Sequence, residues 1–197
     1  AGVYGAENKG QFVAKLDTGL SKVIFQTSFG DNPNAIDFSP TAFLVDNCEH
    51  IYMSGWASEV YTGAEHPGDA FGLEIKNPLD PNVTTDGHDF YIIVLDKNAS
   101  DILFATTYGG DSTMDHVDGG TSRFDKRGVI YQSVCSSCPN DNFGGFYYQD
   151  FPVSPNAVFT ENLSYRCSNA SFKIDLQIRT GVKALFRPDP DYGCNPL

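Results

Sequence analysis

Basic residues are scarce in this sequence: 13 Lys and Arg stand against 25 Asp and Glu in 197 residues, for a formal charge of -12. A surface of that sign repels phosphates and gains nothing from an anionic lipid leaflet, which argues against nucleic-acid binding and against electrostatic attachment to a membrane. Also missing is any run approaching the roughly 20 consecutive apolar residues of a membrane-crossing helix. No basic start followed by an apolar stretch marks an uncleaved signal peptide. There is no initiator Met, and the start at Ala1 suits a mature protein trimmed of its signal or a piece of a longer one. No window holds a helical period with a cap before it, so almost no helix is expected.

What is present is core material and turn chemistry. Hydrophobic residues make up 41% of the chain and aromatics 13%, enough to bury one sizeable core or two small ones. Nineteen Gly, 11 Pro and five cysteines (Cys48, Cys135, Cys138, Cys167 and Cys194) in an acidic chain point to an extracellular protein with disulfides.

The sequence repeats itself at a spacing of 79. FVAKLD, Phe12 to Asp17, falls on YIIVLD, Tyr91 to Asp96, and one further step brings Asp96 to Asp175 at the end of SFKID. Without a gap from Phe12 to Trp56, the two units share 10 identities in 45 positions, among them Leu16/Leu95, Phe25/Phe104, Gly30/Gly109, Asp46/Asp125 and Tyr52/Tyr131. Ordinary composition gives about three by chance, so a duplicated structural unit is the simplest reading.

Each unit reads as four short strands. VIFQTSF and its counterpart ILFATTY alternate in the manner of half-buried strands, and TAFLVD with HIYMSGW supplies the third and fourth. Asp17-Thr-Gly19, Gly30-Asp-Asn-Pro33, Asp46-Asn47 and Lys126-Arg-Gly128 mark the turns. Between units run polar, Gly/Pro-rich excursions, Ala57 to Phe90 and Ser136 to Ala170, which share the phrases NPLDPN and FPVSPN. Four antiparallel strands in about 45 residues is the proportion of a propeller blade. The expected fold is therefore all-β: residues 1–197 form one β-propeller segment, with units at about 12–90, 91–169 and a partial 170–197. Too few blades are present to close a ring, which implies a fragment of a larger chain. A β-sandwich of two four-stranded sheets is the alternative. Blades expressed alone expose faces meant for neighbours, so poor solubility or association is expected.

The phrases SPTAFLVDNCEHIYMSGW (Ser39 to Trp56), DGHDFYIIVLD (Asp86 to Asp96), HVDGGTSRFDKRGVIYQSVCSSC (His116 to Cys138) and FPVSPNAV (Phe151 to Val158) resemble large exported proteins of gliding and related bacteria. In those proteins, β-propeller (SBBP-like) repeats precede PKD-type immunoglobulin-like domains and a C-terminal sorting domain of the type IX secretion system. The resemblance runs from about Phe12 to the end, and HVDGGTSRFDKRG is its most specific part. It implies export, surface display or release, and an adhesive or scaffolding role in which the partners are the rest of the chain, the secretion machinery and surface glycans. It also implies a PKD-type domain just beyond Gly193 to Leu197. It brings no catalytic site with it.

Several constellations have the residue types that chemistry needs. Cys135-Ser-Ser-Cys138 with Cys167 and Cys194 has the composition of a four-thiolate zinc site, but the second pair is not CxxC, and disulfide bonding is the stronger reading in an exported chain. A bridge from Cys135 or Cys138 to Cys167 would tie down the second excursion. A redox role for the CxxC would need a helix N-terminus, and none is expected there. Asp111, Asp115 and Asp118, with His116 and two glycines, form the best Ca²⁺ candidate, although the spacing is not that of an EF-hand and side chains bonding turn amides explain them better. Arg123 and Asp125 are placed to pair across the sheet.

No carboxylate pair stands out for glycoside hydrolysis, and no nucleophile elbow is present. His50, His66, His88 and His116 fall in turns or excursions, where solvated histidines are the norm. Tyr61, Phe71, Phe143, Phe146, Tyr147 and Tyr148 form either a sugar-stacking platform at the rim, the basis of an alternative carbohydrate-binding or polysaccharide-cleaving reading, or the packing of the excursions onto their own blades, which is favoured. Sequons stand at Asn82, Asn98, Asn162 and Asn169, and Asp111-Ser-Thr113 resembles a short bacterial O-glycosylation signal acting on Ser112 or Thr113.

Overall fold

Alternating and fully apolar runs become strands at each place where the repeat predicts them. The computed structural model describes residues 2–33, 35–58, 68–117, 122–139, 150–158, 166–176 and 178, and among these there is no helix. β1 (Gln11–Leu16) pairs with β2 (Val23–Phe29) as a two-stranded sheet. β3 (Ser39–Val45), β4 (Ile51–Trp56), β5 (Phe90–Leu95) and β6 (Ile102–Tyr108) form a four-stranded sheet in chain order. In the third sheet, β7 (Met114–His116) and β8 (Arg123–Phe124) both pair with β9 (Val129–Cys138), which pairs with β10 (Ser168–Asp175). Every pairing is antiparallel.

The sheets do not follow the sequence units. One sheet per unit is the expectation from the repeat, yet the central sheet takes β3 and β4 from the first unit and β5 and β6 from the second. The edge of β4 meets that of β5 across the long first excursion, from Ile51↔Leu95 to Trp56↔Phe90. An antiparallel edge is completed by whichever strand offers a matching apolar face, and sequence adjacency is not required. The second unit also contains a strand that the alignment does not predict, β7, and its third strand shrinks to the two residues of β8.

Strand alternation sorts the core into two layers. Tyr91, Ile93 and Leu95 of β5 pack with Ile51 and Met53 against Val13 and Phe29 of the first sheet. Ile92 and Val94 turn the other way and join Tyr52 and Phe104 against Ile130 and Ile174 of the third sheet. The three sheets are therefore stacked with the second in the middle, and all six residues of β5 are buried. At roughly 1.5–3 kcal/mol for each large apolar side chain withdrawn from water, this strand is a main source of stability.

Four aspartates close the hairpins by one device. Asp17 Oδ1 accepts from the amides of Ser21 and Lys22, and Asp96 Oδ1 from those of Asn98 and Ser100. Asp46 Oδ1 accepts from Cys48 and His50, and Asp125 Oδ1 from Arg127 and Val129. The left-handed residue of each turn also recurs at repeat spacing: Leu20 with Ala99, and Glu49 with Gly128. At Gly128 a Cβ would stand 2.6 Å from the Tyr52 ring, so glycine is required there for space as well as for its positive φ. Asp125 takes Arg127 as its ion-pair partner, 3.0 Å away, in place of the expected Arg123.

Candidate functional site

The residues singled out in the sequence converge around β7. Because successive side chains of a strand point to opposite faces, Asp115 and His116 serve two different neighbourhoods.

On the Asp115 side lies a buried acidic cluster. Asp115 Oδ2 accepts from the Gly110 amide at 2.9 Å and Oδ1 from the Ser137 amide at 2.9 Å. Asp89 is 1% exposed and is eased only in part by the Thr85 side chain, and Asp86 Oδ2 meets no donor in hydrogen-bonding geometry. A Cβ on Gly109 would lie 2.0 Å from Asp89 Oδ1 and 2.6 Å from Asp115 Oδ2, so only glycine lets these carboxyls approach. Burial pushes Asp89 up to about 8, helped by the charges of Asp86 and Asp115; it lifts Asp115 to about 7 and Asp86 to about 6. Protonation is the way a buried carboxyl sheds the cost of an unpaired charge.

Asp150 closes the rim of this cluster by accepting from Ser112 N and Oγ, both at 2.8 Å, and from Thr113 Oγ1 at 2.5 Å. The proposed glycosylation hydroxyls are thus engaged by Asp150, and Thr113 is buried. Asp111 is exposed and accepts from Thr84 Oγ1 at 2.6 Å. Of the Ca²⁺ candidates, Asp111 and Asp115 are both near the cluster, and Asp118 lies outside the described residues. Asp115 bonds backbone amides, as the turn reading expects. Asp86, Asp89 and Asp150 were not found by sequence reading. Asp86 and Asp89 flank the start of β5 and carried a signal in their shared phrase DGHD, whereas Asp150 is too distant in the chain to have given one.

On the His116 side lies a sulfur cluster. Cys138 and Cys167 form a disulfide across 29 residues, one of the two pairings expected. Cys135 remains a thiol, its Sγ 3.5 Å from Cys138 Sγ, and His116 Nδ1 lies 3.9 Å from the same sulfur. The Trp56 ring packs against His116 at 5.8 Å between centroids. Residues three apart on a regular strand face opposite ways, and a bulge in β9 overcomes this: Met114↔Cys138 and His116↔Cys135 set three steps of β9 against two of β7. Ser137 takes a φ of 51° within the bulge, and its amide is held by Asp115. Cys48 is disulfide-bonded as well, which was not expected. Cys194, the fourth thiol of the zinc reading, lies outside the described residues.

Among the described residues, ligand atoms all within 4.8 Å of one another occur in two groups, His116–Cys135–Cys138 and Asp46–Cys48–His50. The second is taken up by its turn, where Asp46 Oδ2 also holds His50 Nδ1 at 3.0 Å and the Tyr52 hydroxyl at 3.0 Å.

The histidines depart from the solvated-loop expectation. His50 and His88 are buried, and His116 sits in β7. His66 is outside the described residues, as are Tyr61, Phe143, Phe146, Tyr147, Tyr148 and the sequon at Asn162. Phe71 is exposed, whereas Ala70 and Leu73 beside it are buried in the first core layer, so the described part of the first excursion packs onto the sheets. The sequon residues Asn82, Asn98 and Asn169 are exposed.

Comparison with protein-family models, with curated proteins and with solved structures gave no match.

Proposed function

We propose that the chain is a non-catalytic module of stacked β-repeats, a segment of a β-propeller carried by a larger exported surface protein that spaces, displays or adheres. The observation that supports it best is the composition of the central sheet, whose strands come in equal parts from two successive sequence units. A blade shared in this way staples each unit to the next, which suits a rigid repeat platform. Phe12 carries the same logic outward: it is 72% exposed on the first sheet, while its counterpart Tyr91 is 1% exposed beneath that sheet. The β1 edge away from β2 and the face around Phe12 therefore match what a preceding unit would fill.

The carbohydrate-cleaving alternative is less well supported, because an acid/base pair must touch its substrate, and among the described residues the carboxyls with raised pKa, Asp37, Asp86, Asp89 and Asp115, are all buried. Export by the type IX route and the adhesive role rest on the resemblance of HVDGGTSRFDKRG and its neighbouring phrases.

The test is accessibility on intact source cells. A non-penetrating protease, or an antibody raised against the chain, should reach it without lysis and should detect a polypeptide much longer than 197 residues. Signal that appears only after lysis would overturn the surface assignment.

A further inference from the structure

We propose that His116, Cys135, Cys138 and Cys167 form a Cys₃His zinc site when the chain is reduced. Zinc takes four nitrogen or sulfur ligands tetrahedrally, with Zn–S about 2.3 Å and Zn–N about 2.0–2.1 Å, so ligand atoms stand about 3.8 Å apart for two sulfurs and about 3.6 Å for sulfur and nitrogen. Cys135 Sγ and Cys138 Sγ are 3.5 Å apart, and Cys138 Sγ and His116 Nδ1 are 3.9 Å apart. All three atoms lie within 4.8 Å of one another. Cys167 is bonded to Cys138 but is not one of that group, and it supplies the fourth ligand by turning its sulfur inward once the disulfide opens.

A disulfide alone would need only Cys138 and Cys167. The bulge at Ser137 brings Cys135 to the same side as Cys138, and the pairing of β7 with β9 places His116 beside Cys135. Two further side chains with zinc-ligand chemistry are thus gathered around one bond. His116 rests against Trp56, which limits the ring's freedom to turn away.

The binding step balances simply. Three thiols release three protons, and the resulting thiolates with one neutral imidazole hold Zn²⁺ in a site of net charge -1. Starting from the disulfide, a dithiol reductant first supplies two electrons and two protons to Cys138 and Cys167 and becomes a disulfide itself. The disulfide ties β9 to the segment before β10, and zinc would hold the same two and add β7 through His116, so zinc takes over the cross-linking task of the disulfide where the surroundings are reducing.

The test uses the full chain, reduced and freed of metal, titrated with Co²⁺ and then with Zn²⁺. One equivalent of Co²⁺ should produce the visible ligand-field bands and thiolate charge-transfer absorption of a tetrahedral sulfur-rich site, and one equivalent of Zn²⁺ should abolish them. Cys135→Ser should weaken binding by at least about tenfold, and His116→Asn should alter the bands. Because Cys135 is outside the disulfide, Cys135→Ser leaves the oxidised fold intact, and circular dichroism of that form checks it. Absence of tetrahedral bands in the reduced protein, or equal affinity in wild type and both variants, would overturn the site. Neither result depends on whether the protein is exported.

Discussion

Truncating equivalent aromatics in the two repeat units should have opposite consequences. Tyr91 is 1% exposed, packs against Phe38 with ring centroids 5.3 Å apart, and donates its hydroxyl to Glu74 O at 2.7 Å. Tyr91→Ala removes a fully buried ring and leaves a cavity and an orphaned carbonyl, a combination that costs about 3–5 kcal/mol. That is a large part of the 5–15 kcal/mol typical of a domain. Phe12 keeps only about a quarter of its side chain from water, so Phe12→Ala should cost less than about 1 kcal/mol. The same change removes part of the exposed apolar surface that Phe12 shares with Leu16, Val23 and Ile24. Urea unfolding at fixed pH gives both stabilities, and light scattering against concentration gives association. Tyr91→Ala should sharply lower the unfolding midpoint, whereas Phe12→Ser combined with Ile24→Ser should leave it nearly unchanged and reduce self-association. A loss above about 2 kcal/mol for Phe12→Ala, or association unaffected by the double change, would refute the picture of an uncovered stacking face.

Other outcomes follow from single features. Asp96→Ala removes the acceptor for the Asn98 and Ser100 amides and the Ser100 hydroxyl, and should cost about 1–2 kcal/mol by urea unfolding, with Asp96→Asn recovering part. Burial opposes ionisation of Asp96 and Asp125, but the donated hydrogen bonds prevail and hold both below the ordinary carboxyl range; the stability that they contribute is present above about pH 4 and should be lost as pH falls through their lowered values. Asp86 and Asp89 are shifted the opposite way, so their protonated forms favour the fold. Stability should fall by a few kcal/mol at most between about pH 4 and 8, Asp89→Asn should flatten that slope, and a midpoint that rises over the range would contradict the burial argument. Cys167→Ser opens the bridge across 29 residues and should cost about 2–4 kcal/mol under oxidising conditions, read as a lower thermal midpoint.

Spacing and periodicity made much of the fold legible, and the limits have physical causes. The 79-residue register located β1, β2, β4, β5 and β6 because each pairs an apolar run, alternating or continuous, with a turn aspartate at a fixed offset. The same register misled about sheet membership: nothing local distinguishes β4 pairing with β3 alone from β4 also pairing with β5 across the excursion. Around the site, Cys138–Cys167 was among the expected bridges, since only a few pairings are possible. His116 escaped notice as a neighbour of the cysteines because β7 is three residues long and its contact depends on the bulge at Ser137, far downstream in the chain. Asp89 escaped because a buried, poorly partnered carboxyl looks like any other acidic residue until its surroundings are known.

The two ends of the stack differ in chemistry, and the difference gives it a direction. On β10 the outward residues are Asn169, Ser171, Lys173 and Asp175, all exposed; Ser171 Oγ meets Ser133 Oγ at 2.9 Å, and Lys173 lies over the Tyr131 ring. One repeat earlier, Ser171 and Lys173 correspond to Ile92 and Val94, which are fully buried between sheets. A further sheet placed on β10 would desolvate hydroxyls and an ammonium for little apolar gain. At the other end, a preceding unit would offer strands equivalent to β3 and β4 to the edge of β1 and an apolar sheet to cover Phe12, as the first unit does for β5 and Tyr91. Fusing a second copy of residues 12–90 ahead of Phe12 in the 79-residue register should therefore raise the unfolding midpoint and suppress association. An equal copy placed after the chain should stabilise less, because the β10 face that it would cover is polar and returns little apolar burial. If both fusions stabilise alike, the polarity of the β10 face gives the stack no direction; if neither does, the exposed face around Phe12 is not a repeat interface.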